Sequence, residues 1–263
     1  AKLALTCFLA SYFTRRYDEV RGKKFSAAKP FIVMGVLGVF LLAQPDLGST
    51  VVLFVITFGM LFIVGANFWQ FILLIGTGIL LFVWLVLSAS YRLKRFTGFL
   101  EPFKDPYGTG FQLTNSLMAF GRGEISGEGL GNSIQKLDYL PEAHTDFIMA
   151  IIGEEFGFIG ILVVVILLGL LIFRAMKIGR ESLMLEQRFR GFFALGISFW
   201  IFFQGFVNLG MALGMLPTKG LTFPLISYGG SSIIIMSVTV GILLRIDHEN
   251  RLMRGGQARL RDD

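Results

Sequence analysis

The stretch Tyr139–Gly157, YLPEAHTDFIMAIIGEEFG, passes from a polar cluster to an apolar run within one residue. Pro141 ends any preceding helix, and Glu142, His144, Thr145 and Asp146 supply residues of the kind that start a new one. Phe147 opens a hydrophobic segment that continues to Phe173. The pattern predicts a membrane helix with Asp146 at or beside its first turn, near the lip of the bilayer. Glu154 and Glu155 follow about two turns deeper, where charge is costly and usually has a use. Spacing of three and four residues places Asp146, Met149, Ala150, Gly153, Gly157 and Gly160 on one face, a small-residue stripe that would let another helix approach.

Outward from this stretch the chain reads as an all-α polytopic membrane protein. Hydrophobic residues make up 54% of 263, with 28 Phe. Seven apolar segments stand out: Leu3–Phe13, Pro30–Ala43, Thr50–Val64, Phe71–Ser88, Phe147–Phe173, Gly191–Leu213 and Leu225–Leu244. The first is too short to span, so position 1 is expected to lie inside a longer protein. The second and third fall short of the roughly 20 residues of a straight span. Between them, Gln44–Ser49 reads as a tight turn. We expect a single membrane domain over 1–263, with a large extracytoplasmic loop at 89–146 and a cytoplasmic tail at 245–263.

Charge sets the orientation. Residues 14–29 carry six Lys/Arg against two acids, and 174–190 carry five against two. The tail 245–263 adds five basic residues against four acids. All three fall on one side if every segment spans, and that side is predicted to be cytoplasmic. The formal charge of +6 thus reports topology and contact with anionic lipid. No basic groove interleaved with aromatics accompanies it, which argues against nucleic acid. One cysteine, Cys7, excludes an internal disulfide and a cysteine metal cluster.

The 58-residue loop 89–146 is dense in Gly, Pro and aromatics, and a loop of that length tends to be functional. A short amphipathic helix is expected around Gln112–Phe120, lying on the surface. GEGLGNS (127–133) is no dinucleotide fingerprint, since no strand precedes it. In GMLPTKGLTFPLISYGGSS (214–232), Lys219 lies between two prolines, and Tyr228–Ser232 opens or interrupts the last helix.

Ionisable residues gather at extracytoplasmic turns: Asp46, Arg92, Glu142, His144, Asp146 and Lys219, with Lys2 at the outward end of the first helix. Lysines suit phosphate oxygens, and a carboxylate can take a proton from an attacking hydroxyl. Each position also has a plainer role. Asp146 read alone serves equally as a helix cap, Lys219 can snorkel, and Glu154 and Glu155 are expected to pair with Arg or Lys across the bundle. His144 has no second histidine near it to make a metal site, because His248 is cytoplasmic.

The segments AQPDLGS (43–49), GEGLGNSIQKLDYLPEAHTDFIMAIIGEEFG (127–157) and NLGMALGMLPTKGLTFPLISYGGSS (208–232) closely resemble the SEDS family (shape, elongation, division and sporulation). The wording PTKGLTFPLISYGGSS resembles its division branch rather than its elongation branch. The resemblance implies a ten-helix fold with three further spans before Ala1, located at the septum of the bacterial inner membrane. It also implies a peptidoglycan glycosyltransferase that polymerises lipid II, with Asp146 as general base. Lys219, Lys2 and Arg92 are expected at the pyrophosphate or sugars, with Glu142, His144, Thr145, Ser227 and Tyr228 also lining the substrate. A divalent cation, Mg²⁺ or Mn²⁺, could bridge pyrophosphate and Asp146, although no dedicated metal cage is visible. The implied partner is a class B penicillin-binding protein, the FtsI transpeptidase, with coupling expected near Met118 and Asp138. A lipid II flippase would use the same acids and lysines. A non-catalytic scaffold would need neither, and a secondary transporter finds no internal repeat in support.

Overall fold

The computed structural model describes residues 1–22, 28–44, 46–87, 98–217 and 220–262. Their regular structure is all helical, with no strand among the described residues. The chain divides into two compact units: Ala1–Gly76, Leu170–Phe203 and Ile234–Asp263 in one, Thr77–Gly169 and Gln204–Ile233 in the other.

The first unit opens with α1 (Lys2–Arg15) and α2 (Tyr17–Gly22). A helical hairpin of α3 (Ala28–Ala43) and α4 (Leu47–Val64) follows. The turn expected at 44–49 is present. Asp46 caps α4 by accepting the Ser49 N–H at 2.9 Å, leaving one fewer orphan donor at the helix start. Gly65 closes α4 in the left-handed region at φ 75°, where a side chain would be strained. Leu5, Leu9 and Phe13 of α1 are buried, as are Leu53, Ile56 and Met60 of α4 and Ile197 and Ile201 further along. Gly196 admits Thr6 and Met60: an added Cβ would meet their side chains at 2.7 and 2.8 Å.

Helix α5 (Phe68–Leu87) begins in the first unit and ends in the second. Helix α6 (Phe111–Gly123) fulfils the expectation of a short loop helix, with a difference. Leu113, Thr114, Asn115, Ser116 and Ala119 are buried around most of its circumference, so it does not rest on the surface. Its polar members are bonded: Ser116 Oγ donates to the Ala212 carbonyl at 2.7 Å and Asn115 Nδ2 to the Tyr139 carbonyl at 2.9 Å. Ala119, Leu140, Ala143, Phe147, Ala150, Ile151 and Ala212 form the apolar core beneath.

Helix α7 (Ile148–Met184), α8 (Arg188–Ala212) and α9 (Gly230–Asp262) are long and apolar enough to cross a membrane. Together with the shorter apolar helices they make a multi-pass membrane protein. The last helix opens within Tyr228–Ser232 as expected: α9 starts at Gly230, and 225–229, the first residues of the apolar segment, are not helical. Leu225, just after Pro224, sits at φ 65°, which no helix accommodates.

Helix α7 is broken at Gly157 (φ 64°, ψ −162°). Before the break its side chains are mostly buried; beyond it Phe158, Ile159, Leu162, Val163, Ile166 and Leu167 are exposed apolar residues, as on a lipid-facing span. The change of environment thus falls at Gly157 rather than at Asp146. The stripe through Gly153, Gly157 and Gly160 likewise does not continue as one helical face.

Candidate functional site

Asp146 is presented by a turn, not by a helix. A π-helical turn over Gln135–Tyr139 leads into extended Leu140, and Glu142 turns the chain at φ 58°. The Glu142 carbonyl then accepts the N–H groups of Thr145, Asp146 and Phe147 at 3.2, 3.1 and 3.2 Å. Thr145 Oγ1 donates to the Glu142 carboxylate at 2.6 Å, tying the turn across its mouth. Helix α7 starts two residues after Asp146, as the polar-to-apolar switch predicts.

Three consecutive carbonyls of this turn are held by residues from 208 to 228. The His144 carbonyl accepts the Tyr228 N–H at 2.9 Å, that of Thr145 accepts Ser227 Oγ at 2.5 Å, and that of Asp146 accepts Asn208 Nδ2 at 2.8 Å. Asn208, fully buried, also donates to the Leu221 carbonyl at 2.5 Å. Gln204 Nε2 donates to the Thr222 carbonyl at 2.8 Å. The Ser227 hydroxyl also accepts the Phe223 N–H at 2.6 Å and is 1% exposed. Ser227 therefore acts by pinning backbone, and its hydroxyl does not face a cavity. Side chains are left to project from a fixed frame: His144, Glu142 and Tyr228 are exposed, and Thr145 and Asp146 are half-buried.

Gly220 lies against the carboxylate, where an added Cβ would stand 3.3 Å from Asp146 Oδ2. Lys219 and Arg92 lie outside the described residues. Lys2 opens α1 in the first unit, where Asp46 is the charged group that acts on it. Met118 is exposed on α6, and the side chain of Asp138 lies outside the described residues. No three His, Cys, Asp or Glu side chains converge as metal ligands among the described residues. A cation beside Asp146 would have one carboxylate there and take its other ligands from phosphate oxygens and water, a donor set that suits Mg²⁺.

Glu154 and Glu155 form a second acid pair with a different task. Glu154 is fully buried and accepts Arg122 Nη1 at 3.0 Å, Ser133 Oγ at 2.5 Å and the N–H groups of Ile134 and Gln135 at 3.0 and 3.2 Å. Glu155 meets Lys136 Nζ at 2.6 Å. Arg and Lys partners were expected, but from the bundle; they come from the loop instead. Nor does either acid face lipid, which removes the argument that charge at that depth marks chemistry.

The break beside them is fully compensated. In an unbroken helix, Phe158 and Ile159 would donate to the carbonyls of Glu154 and Glu155. Those carbonyls accept Glu128 and Gly129 N–H instead, both at 3.0 Å. Phe158 and Ile159 donate to the carbonyls of Glu124 and Ile125 at 2.9 and 3.2 Å. Glycines permit the approach, since a Cβ at Gly123, Gly127 or Gly157 would collide with the carbonyls of Gly153, Glu155 or Ile125. The glycine-rich loop thus repairs a helix.

Sequence reasoning overlooked Asn208, Gln204, Arg122 and Ser133. Asn208 had a signal, a carboxamide inside an apolar run, where a polar group needs a partner.

The model of the cell cycle protein family of FtsW, RodA and SpoVE matches residues 1–252. The chain belongs to this family. Relatives within it include the probable peptidoglycan glycosyltransferase FtsW of Pasteurella multocida, 85% identical over the whole chain and 66% of its own length. The protein of the same name from Haemophilus influenzae is 87% identical over the whole chain and 67% of its own length. Among solved structures, a chain of a peptidoglycan synthase complex that coordinates polymerization and crosslinking aligns with TM-score 0.74 at 30% identity, covering 95% of this chain and 69% of that one. The chain spans about two thirds of the length of the curated relatives it matches.

Proposed function

We propose that the whole protein is a peptidoglycan glycosyltransferase that polymerises lipid II during septal wall synthesis, with Asp146 as its general base. The observation that carries this reading is the turn 144–146, whose three carbonyls are pinned while Asp146 stays partly exposed. A base must be held in position yet reachable. The names of the relatives support the same reaction class.

In the proposed step, the acceptor GlcNAc 4-hydroxyl gives its proton to the Asp146 carboxylate as its oxygen bonds to the donor MurNAc anomeric carbon. The bond from that carbon to the pyrophosphate oxygen breaks, and undecaprenyl pyrophosphate leaves. One displacement converts an α-linked donor into a β-1,4 linkage, so the reaction inverts and needs no carboxylate pair. Lys219, Lys2 and Arg92 are proposed for the pyrophosphate or the sugars; Glu142, His144, Thr145 and Tyr228 are proposed as further substrate contacts. Mg²⁺ or Mn²⁺ held at Asp146 would neutralise leaving-group charge. The likeness to a synthase complex supports a class B penicillin-binding protein, FtsI, as partner, coupled near Met118 and Asp138. We place the protein in the bacterial inner membrane at the septum, with its basic loops and C-terminus cytoplasmic.

The test uses the full-length protein with its transpeptidase partner and labelled lipid II. Asp146→Asn is expected to lower polymer formation by at least about 100-fold, with thermal stability and partner binding retained. Equal polymer from a well-folded variant would remove Asp146 from the chemistry. Polymer traced to another enzyme would leave a flippase or a recruiting scaffold in its place.

A further inference from the structure

Within the first unit, residues of α1, α2 and α3 line an open cavity of about 810 Å³ that the proposed reaction does not use. The lining combines Phe8 of α1 and Ile32 and Val33 of α3 with the cations Arg15, Arg16 and Lys29. On α1, Phe8 and Arg15 are seven residues apart, about 10 Å of helix. On α3 the cation lies one turn from the apolar pair. Both helices thus change from apolar to basic along the part of their length that lines the cavity.

The charges are unevenly satisfied. Glu19 is the acid in the lining, and it is bound to Arg16 at 2.6 Å. Arg15 and Lys29 have no ion-pair partner among the described residues, so the cavity holds two uncompensated cations above an apolar floor. A soluble anion would leave the floor wet, and a neutral lipid would leave the cations unmatched. A phosphodiester headgroup with acyl chains satisfies both, and basic pockets between membrane helices are recognised lipid sites.

We propose that this cavity is a binding site for an anionic phospholipid of the bilayer, its phosphate between Arg15 and Lys29 and its chains along Phe8, Ile32 and Val33. Glu19 competes with the phosphate for Arg16. The site therefore binds more tightly when that acid is neutralised and Arg16 is released.

The experiment uses the full-length protein in nanodiscs of phosphatidylcholine with and without one fifth phosphatidylglycerol, released into native mass spectrometry, with lipid retention read for each headgroup. Wild type is expected to retain one phosphatidylglycerol in preference to phosphatidylcholine. The double reversal Arg15→Glu with Lys29→Glu should weaken that retention at least tenfold, and Glu19→Gln should strengthen it. Ser11→Trp, which fills the middle of the cavity without changing charge, should also abolish it. This variant keeps the proposal testable if the double reversal does not fold. Equal retention of both headgroups, or retention indifferent to Ser11→Trp, would overturn the site. Absence of retained lipid would overturn it too, as the result expected if other parts of the full-length chain fill the cavity. Displacement of phosphatidylglycerol by equimolar lipid II would reassign the cavity to the substrate.

Discussion

The two ends of α7 hold charge in opposite ways. Around residue 154 the acids bind a loop: Glu154 is fully buried and takes four donors from residues 122–135. Beyond residue 170 the ion pairs of α7 run to α9. Arg174 pairs with Asp247 at 3.0 Å and Arg254 with Glu181 at 3.1 Å, with the arginine side chains 45% and 48% exposed. Buried Asn250 and Ser182 bond each other between those pairs. At the loop end the fold depends on its charges. At the other end water can replace them, and packing of α7, α8 and α9 carries the contact, with Gly179 and Gly191 letting two backbones approach.

Substitutions should expose this asymmetry in order of size. Glu154→Ala leaves Arg122, the Ser133 hydroxyl and two N–H groups without their acceptor, and should cost about 3–5 kcal/mol in thermal or denaturant unfolding. A loss below about 1 kcal/mol would show that the loop end is as tolerant as the other. Gly157→Ala combines a left-handed φ with a clash on the Ile125 carbonyl, and is expected to cost about 2–4 kcal/mol. Unchanged unfolding would mean that the break straightens freely. Asn208→Ala removes donors to the carbonyls of Asp146 and Leu221, and should cost about 1–3 kcal/mol. Its loss in polymer formation should exceed that of Gly157→Ala measured at equal folded fraction, because it frees the Asp146 turn itself. Arg254→Ala should change stability by less than about 1 kcal/mol. A larger effect would give the helix-to-helix pairs a weight comparable to Glu154.

Much of the frame was legible. Hydropathy located every apolar segment, the turn at 44–49 was marked by Pro45 and a capping Asp46, and Pro141 with the switch at Phe147 placed the start of α7 within a residue. What escaped depends on partners distant in sequence. A glycine inside an apolar run reads as a packing residue, and nothing local to FIMAIIGEEFGFIG shows that Gly157 ends one helix and begins another. Arg122 and Ser133 stand 32 and 21 residues from Glu154, so the acid's role appears only once the loop is folded back. Ser227 was legible as a hydroxyl near the site. Its commitment to backbone followed from the turn at Leu225 and Pro224, which a hydropathy window reads as helix.

The four backbone bonds across the break in α7 tie two events together. Withdrawing residues 124–129 would strand two carbonyls and two N–H groups on a helix that cannot close the gap while Gly157 holds its left-handed angle. Loop and helix break therefore open as one cooperative unit. In hydrogen exchange, the amides of Glu128, Gly129, Phe158 and Ile159 should report a single opening free energy, although two lie in a loop and two in a span. A segment that looks like a flexible connection would then carry the slow exchange of a core.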